Sequence, residues 1–115
     1  VSAGFHSPFM DGARRSLTAV LADMSFSKPQ FSVFANATAS ITEDPASSLA
    51  DQLTAPVRFS ETLLTMSAAG VDTFVHIGPG DVTAGLARRT VPGATVKVVS
   101  TLLDARSVAE ELSVQ

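Results

Sequence analysis

Two histidines are the only imidazoles in this 115-residue sequence, which contains no cysteine. His6 lies in the stretch Gly-Phe-His-Ser-Pro-Phe-Met, residues 4–10. Ser7 and Pro8 are typical of a helix start, because serine can accept from a free backbone amide and proline needs no donor in the first turn. A histidine between a predicted strand end, residues 1–3, and this helix has an accessible ring, as a general base requires. Position alone still favours an ordinary loop residue.

The second histidine, His76, lies in a nearly continuous apolar run and is interpreted as a structural strand residue with a local hydrogen-bond partner. A zinc site would need both histidines and several carboxylates, so no metal is predicted. The turn that follows, Gly-Pro-Gly-Asp at residues 78–81, lies where phosphate-binding loops occur. Thr83 stands where a dinucleotide fingerprint has its third glycine, and Asp81 would repel an anion. A tight structural turn is therefore predicted.

A third stretch, residues 51–59, combines a helix end with a proline. It reads Asp-Gln-Leu-Thr-Ala-Pro-Val-Arg-Phe, and Pro56 fixes extended backbone after the helix. Carbonyl groups near a helix C-terminus have no partner within the helix, and one of them could accept from a neighbouring imidazole N–H. By spacing alone, an ordinary helix stop remains the favoured interpretation.

Composition limits the classes of function. The net charge is −3, and no stripe of lysine and arginine with interleaved aromatic residues is present, so nucleic-acid binding is disfavoured. The apolar runs are too short to span a membrane, and a cytoplasmic location is predicted. The sequence opens at Val1 with a strand already under way, which suggests a piece of a longer protein.

The elements that must position these residues alternate along the chain. Helices are predicted at residues 8–23, 45–53, 60–70 and from Asp81 onwards, strands at 31–36, 71–77 and 94–99, a loop at 37–43, and a last helix announced by a capping box at Ser107–Glu110. Alternating helices and strands predict an α/β fold, with three layers and a mostly parallel sheet between flanking helices.

Three stretches together resemble one enzyme family. Residues 4–10 are similar to the histidine motif of the acyltransferases that load malonyl groups onto acyl carrier protein. Residues 52–59 resemble their Q-L-x-x-P-V-R-F/W stretch, and residues 74–80, followed by Leu-Ala-Arg-Arg at 86–89, resemble their Gly-Pro-Gly segment. The family is that of malonyl-CoA:acyl carrier protein transacylase. The resemblance implies the C-terminal part of an acyltransferase domain. Residues 1–6 would end a small ferredoxin-like subdomain with the catalytic-histidine loop, and residues 7–115 would form part of a large α/β-hydrolase-like subdomain.

The resemblance also implies a reaction. A serine in a G-x-S-x-G elbow attacks malonyl-CoA, and the phosphopantetheine thiol of the carrier protein then collects the malonyl group. His6 matches the catalytic base, and the backbone carbonyl of Gln52 matches the group that orients it. Phe5 matches a position that selects malonyl over methylmalonyl, because its ring fills the space of an α-methyl group. No cofactor is implied.

The 115 residues contain no G-x-S-x-G, so the nucleophile is expected in a missing N-terminal part, and this piece alone is expected to be inactive. Arg58, Arg88 and Arg89 are candidates for a patch that binds the acidic carrier protein, although solvated helix-end charges explain them equally well. Two other hypotheses stay open. One is an acyltransferase domain of a polyketide synthase, and the other is a non-catalytic α/β interaction module.

Overall fold

A computed structural model describes residues 3–114. The chain divides into two compact units, Val1–Thr62 and Leu63–Gln115. Val1 and Ser2, on which most of the first predicted strand falls, lie outside the described residues, and Ala3 is in a bend. The predicted subdomain boundary between residues 6 and 7 stays a prediction.

The first unit contains the histidine loop. A short 3₁₀ helix, Pro8–Met10, leads into α1 (Asp11–Ala22), and the strands β1 (Phe34–Ala35) and β2 (Ser40–Ile41) form an antiparallel pair. α2 (Pro45–Asp51) packs against α1, and α3 (Phe59–Ala68) begins in this unit. Small side chains, with one leucine, fill the core: Leu21, Ala35, Ala39 and Ala50 are buried.

The N-terminus of α2 follows the predicted signal. The Asp44 carboxylate accepts from the backbone amide of Ser47 at 3.2 Å, and Pro45 occupies the first turn. Capping of this kind stabilises a helix by about 1 kcal/mol. The cap and the proline together fix where α2 begins, and therefore where its C-terminal carbonyls lie.

The second unit is a β-α-β arrangement with an added helix. β3 (Thr73–Ile77) pairs in parallel with β4 (Thr95–Val99), α4 (Val82–Thr90) connects them, and α5 (Leu102–Ser113) follows. The register runs from Thr73 opposite Thr95 to Ile77 opposite Val99. Ala84 and Ala87 of α4 are buried, and their small side chains allow the helix to approach the strands closely. The predicted α/β class is confirmed.

Several predicted boundaries are wrong. Only Phe34–Ala35 is extended within the strand predicted at residues 31–36, and the loop predicted at 37–43 contains β2, which pairs antiparallel. α2 ends at Asp51, two residues before the predicted Leu53. The capping box predicted at Ser107–Glu110 lies inside α5, which begins at Leu102.

The capping box of α5 lies six residues earlier, at Thr101–Asp104. The Thr101 hydroxyl accepts from the Asp104 amide at 3.2 Å, and the Asp104 carboxylate accepts from the Thr101 amide at 2.9 Å. Asp81 occupies the N-cap position of α4 as predicted, but its side chain makes no capping hydrogen bond. None of the helices in the described part of the chain is long and apolar enough to cross a membrane.

Candidate active site

The loop around His6 is closed by one hydroxyl. Ser7 Oγ donates to the carbonyl of Gly4 at 2.6 Å and accepts from the amide of Phe9 at 3.4 Å, so the predicted helix cap is confirmed. Gly4 also lies close to two neighbours in the loop, because a Cβ atom placed on it would lie 3.0 Å from Phe9 Cβ and 3.2 Å from Ser7 Oγ. A side chain at position 4 would therefore displace Phe9 or Ser7 by a few tenths of an ångström.

His6 has a left-handed backbone, with φ of +57°. Among the non-glycine residues from 3 to 114, only Ala39 shares a positive φ. Such a conformation costs a residue with a side chain on the order of 1–3 kcal/mol, so surrounding contacts must hold it. Strained backbone of this kind is concentrated at functional sites, and here it belongs to the candidate base.

The imidazole of His6 contacts the end of α2. His6 Nδ1 lies 2.8 Å from the backbone oxygen of Gln52, although the two residues are 46 positions apart in sequence. The Gln52 carbonyl is free for this contact because its partner in a continued helix would be the amide of residue 56, which is proline and has no N–H. A helix C-terminus leaves such carbonyls without partners. The fold thus brings together the two residues that the resemblance paired.

This contact fixes the tautomer of His6. A carbonyl oxygen can only accept, so Nδ1 carries the hydrogen and Nε2 of the neutral ring has a lone pair. Nε2 makes no hydrogen bond to any of residues 3–114, and the side chain is exposed. A neutral imidazole held by its Nδ1–H, with Nε2 open, can take a proton from a hydroxyl placed beside it.

An asparagine that the sequence interpretation missed fixes the segment after Gln52. Asn36 Oδ1 accepts from the amide of Arg58 at 3.0 Å, and its Nδ2 donates to the carbonyl of Pro56 at 3.4 Å. Asn36 follows β1 directly, so it ties the strand to the chain between α2 and α3. A polar residue at a strand end was the available signal, but nothing in the pattern named its partners.

Phe5 is half exposed, at 53%, and precedes His6 directly.

Arg58 is engaged within its own unit: its Nε donates to Glu61 Oε1 at 3.1 Å, and its Nη1 donates to the carbonyl of Ala37 at 3.4 Å. The hydrogen bond to Glu61, and the opposite charge, raise the pKa of Arg58 and lower that of Glu61. Arg58 therefore has a local structural partner in addition to its predicted role.

Arg88 and Arg89 lie in the last turn of α4, where positive charges complement the helix dipole. Both are exposed, and Arg88 Nη2 lies 3.5 Å from the carbonyl of Val96. They belong to the second unit, whereas Arg58 belongs to the first. The carrier-protein patch stays a prediction.

His76 has the local partner expected of a structural residue. Its Nδ1 is hydrogen-bonded to Thr83 Oγ1, which links β3 to α4. Nε2 is buried and has no partner among residues 3–114.

Gly78 and Gly80 both have positive φ, +143° and +78°, as the tight turn between β3 and α4 requires. Within the same residues, no group of three or more histidine, aspartate or glutamate side chains is arranged to hold a metal ion.

Known proteins match the chain in both sequence and fold. Malonyl CoA-acyl carrier protein transacylase of Bacillus subtilis is 37% identical over 92 residues, covering 77% of this chain and 29% of that protein. The crystal structure of acyl-carrier-protein-S-malonyltransferase from Bartonella henselae matches with a TM-score of 0.91, at 34% identity, over 98% of this chain and 37% of its own. The chain belongs to this acyltransferase family. No family model matches it.

The chain spans about a third of the length of these transacylases, which is consistent with the C-terminal portion that the sequence predicted. Polyketide synthase GfsB of Streptomyces halstedii is 34% identical over 97 residues, covering 81% of this chain and 2% of the synthase. A solved complex of a malonyl-transacylase with a type II PKS acyl-carrier protein matches with a TM-score of 0.89 and 32% identity, over 96% of this chain and 37% of its own. The matches therefore include free-standing transacylases and a polyketide synthase.

Proposed function

We propose that this chain is part of an enzyme that moves a malonyl group from coenzyme A to the phosphopantetheine thiol of an acyl carrier protein, in fatty-acid biosynthesis. The observation that carries the proposal is the contact between His6 Nδ1 and the Gln52 carbonyl at 2.8 Å, which leaves Nε2 as an open base. The named relatives support the choice of malonyl transfer. The solved complex with a carrier protein supports the choice of partner.

In the proposed reaction, His6 Nε2 takes the proton of a serine hydroxyl while the serine oxygen attacks the malonyl thioester. The carbon–sulfur bond breaks, and the resulting imidazolium returns the proton to the coenzyme A thiolate. In the second half, Nε2 takes the proton of the pantetheine thiol while its sulfur attacks the malonyl carbonyl. The seryl carbon–oxygen bond breaks, and the imidazolium returns the proton to the serine oxygen. The Gln52 carbonyl holds the ring through both halves and stabilises its charged form.

The nucleophile is not contributed by these residues, because no G-x-S-x-G occurs among the 115. We infer that a further part of the enzyme, N-terminal to this sequence, carries it, and that the 115 residues alone form no acyl-enzyme. Phe5 is proposed to select malonyl, and Arg58, Arg88 and Arg89 to contribute to carrier binding. Cytoplasmic location and the absence of a cofactor stay predictions.

A second candidate is the acyltransferase domain of a polyketide synthase, which the identity to GfsB favours. Both candidates require the same chemistry at His6, and they differ in the chain around it. Ketosynthase or carrier motifs in flanking sequence would indicate the synthase. The third hypothesis, a non-catalytic module, requires that no serine elbow lies upstream and that His6 has no effect on acyl transfer.

The test uses the full-length gene product and malonyl-CoA, with intact-mass detection of a covalent malonyl adduct and a transfer assay to a holo carrier protein. His6→Ala should lower the transfer rate by about 100- to 10,000-fold, since a general base contributes that much. Gln52→Ala is the matched control at the other end of the same contact: it keeps the carbonyl and should remain close to wild type. Absence of an adduct, or normal transfer by His6→Ala, would refute the proposal.

A further inference from the structure

Ser7 connects the two flanks of His6. Its hydroxyl donates to the carbonyl of Gly4, two residues before the histidine, and accepts from the amide of Phe9, three residues after it. We propose that Ser7 is a positioning residue, which aims the His6 ring by holding its backbone in the left-handed conformation. The inference rests on the proposed function for its catalytic consequence, although its geometric part can be measured separately.

The backbone of His6 needs such a constraint. A left-handed histidine is sparsely populated in a free chain, and its ring direction depends on φ and ψ because the Cα–Cβ bond turns with the backbone. The Gln52 contact alone fixes one ring atom. The Ser7 hydroxyl fixes the chain on both sides, so the ring is held at its Nδ1 and at its backbone.

The packing of the loop supports the same role. Gly4 approaches Phe9 so closely that an added Cβ would lie 3.0 Å from Phe9 Cβ, and the Ser7 hydroxyl bridges the same two residues. Loss of the Ser7 hydroxyl would therefore let the loop open. Gly4 and Phe9 are exposed, so water can hydrate the carbonyl and the amide that Ser7 releases. We therefore expect loss of the Ser7 hydroxyl to change the orientation of the His6 ring more than it changes the free energy of unfolding.

This distinction gives a kinetic signature. A displacement of a reacting group by about 1 Å can lower a rate by about 100-fold without changing substrate binding. Ser7→Ala in the full-length enzyme should lower kcat for malonyl transfer by about 10- to 100-fold, while KM for malonyl-CoA stays within about twofold and Tm within about 2 °C of wild type. Ser7→Thr restores the hydroxyl and should recover kcat to within about threefold.

Ser16→Ala is the matched control. Ser16 Oγ makes a similar side-chain bond, to the carbonyl of Gly12 at 3.2 Å on α1, and follows Ser7 by nine residues in the sequence. This variant should keep wild-type kcat. A wild-type kcat for Ser7→Ala, or a Ser7→Thr variant as slow as Ser7→Ala, would overturn the inference, as would equal losses in the Ser7→Ala and Ser16→Ala variants.

A spectroscopic measurement separates this inference from the proposed function. In wild type, the Nδ1–H of His6 is hydrogen-bonded to Gln52 and should give an imidazole proton signal by NMR, assigned by its absence in His6→Ala. Ser7→Ala should broaden or abolish that signal, and Ser16→Ala should keep it. If the wild-type enzyme transfers no malonyl group, the proposed function fails while this signal still decides the role of Ser7. An unchanged signal in Ser7→Ala overturns the positioning role.

Discussion

Replacing Asn36 by alanine should loosen the segment between α2 and α3. The amide side chain accepts from the Arg58 backbone amide at 3.0 Å and donates to the Pro56 carbonyl at 3.4 Å. Alanine removes both bonds and leaves the partly buried Arg58 amide without an acceptor. We expect the Arg58 amide to exchange its hydrogen with solvent faster, because local opening becomes easier.

The magnitude follows from the two distances. A hydrogen bond contributes about 0.5–1.5 kcal/mol net, and the 3.4 Å bond belongs at the lower end of that range. The sum is about 1.5–2 kcal/mol, which corresponds to an increase of about 10- to 30-fold in the exchange rate. Asn36→Asp keeps an oxygen for the 3.0 Å bond and loses only the weaker donor, so its effect should stay within about threefold.

Hydrogen exchange followed by NMR at single-residue resolution is the suitable assay. The amide of Gly78, which bonds to the Val99 carbonyl at 3.0 Å in the second unit, serves as an internal control and should not change. An increase of less than about threefold at Arg58 in Asn36→Ala would refute the assignment of these bonds. An equal increase in Asn36→Asp would show that the oxygen of Asn36 is not the acceptor.

Three further predictions concern α5, the selectivity position and α4. The backbone amide of Ser100, and the side chain and backbone amide of Thr101, lower the pKa of Asp104. The carboxylate therefore stabilises the fold fully above about pH 4, and this effect is lost as the pH falls through the lowered pKa. The Tm difference between wild type and Asp104→Asn should shrink over that pH range, and a constant difference would contradict the capping role. Phe5→Ala should raise kcat/KM for methylmalonyl-CoA relative to malonyl-CoA by about 10- to 200-fold, and an unchanged ratio would exclude the selectivity role. Charge reversal of Arg88 and Arg89 should raise KM for the carrier protein, and an unchanged KM would identify them as solvated helix-end charges.

The sequence pattern predicted elements with strong periodicity or clear caps. Asp44 and Pro45 placed the start of α2, and the apolar run ending at Ile77 placed β3, because a cap and a continuous apolar run are local properties of the sequence. β2 was missed because two residues give no alternation to detect. The turn before it is made by Ala39 in a left-handed conformation, where no glycine signals the reversal.

The start of α5 was misplaced because two segments share one pattern. Ser107–Glu110 and Thr101–Asp104 both place an acid three residues after a hydroxyl, and only the second follows the end of a strand closely. The contact of His6 with Gln52 is of another kind, since it joins residues 46 positions apart. Periodicity describes one element at a time, so spacing alone could not pair them; the family resemblance did.

The acceptor for His6 is a backbone atom, and this has a genetic consequence. A point substitution at residue 52 changes the side chain and leaves the carbonyl in place, so most replacements there should be silent for this contact. Proline is the exception, because the Gln52 amide bonds to the Ser48 carbonyl at 3.2 Å and closes the last turn of α2. In a saturation screen for acyl transfer, nearly every amino acid except proline should support activity at position 52. Only histidine should support it at position 6.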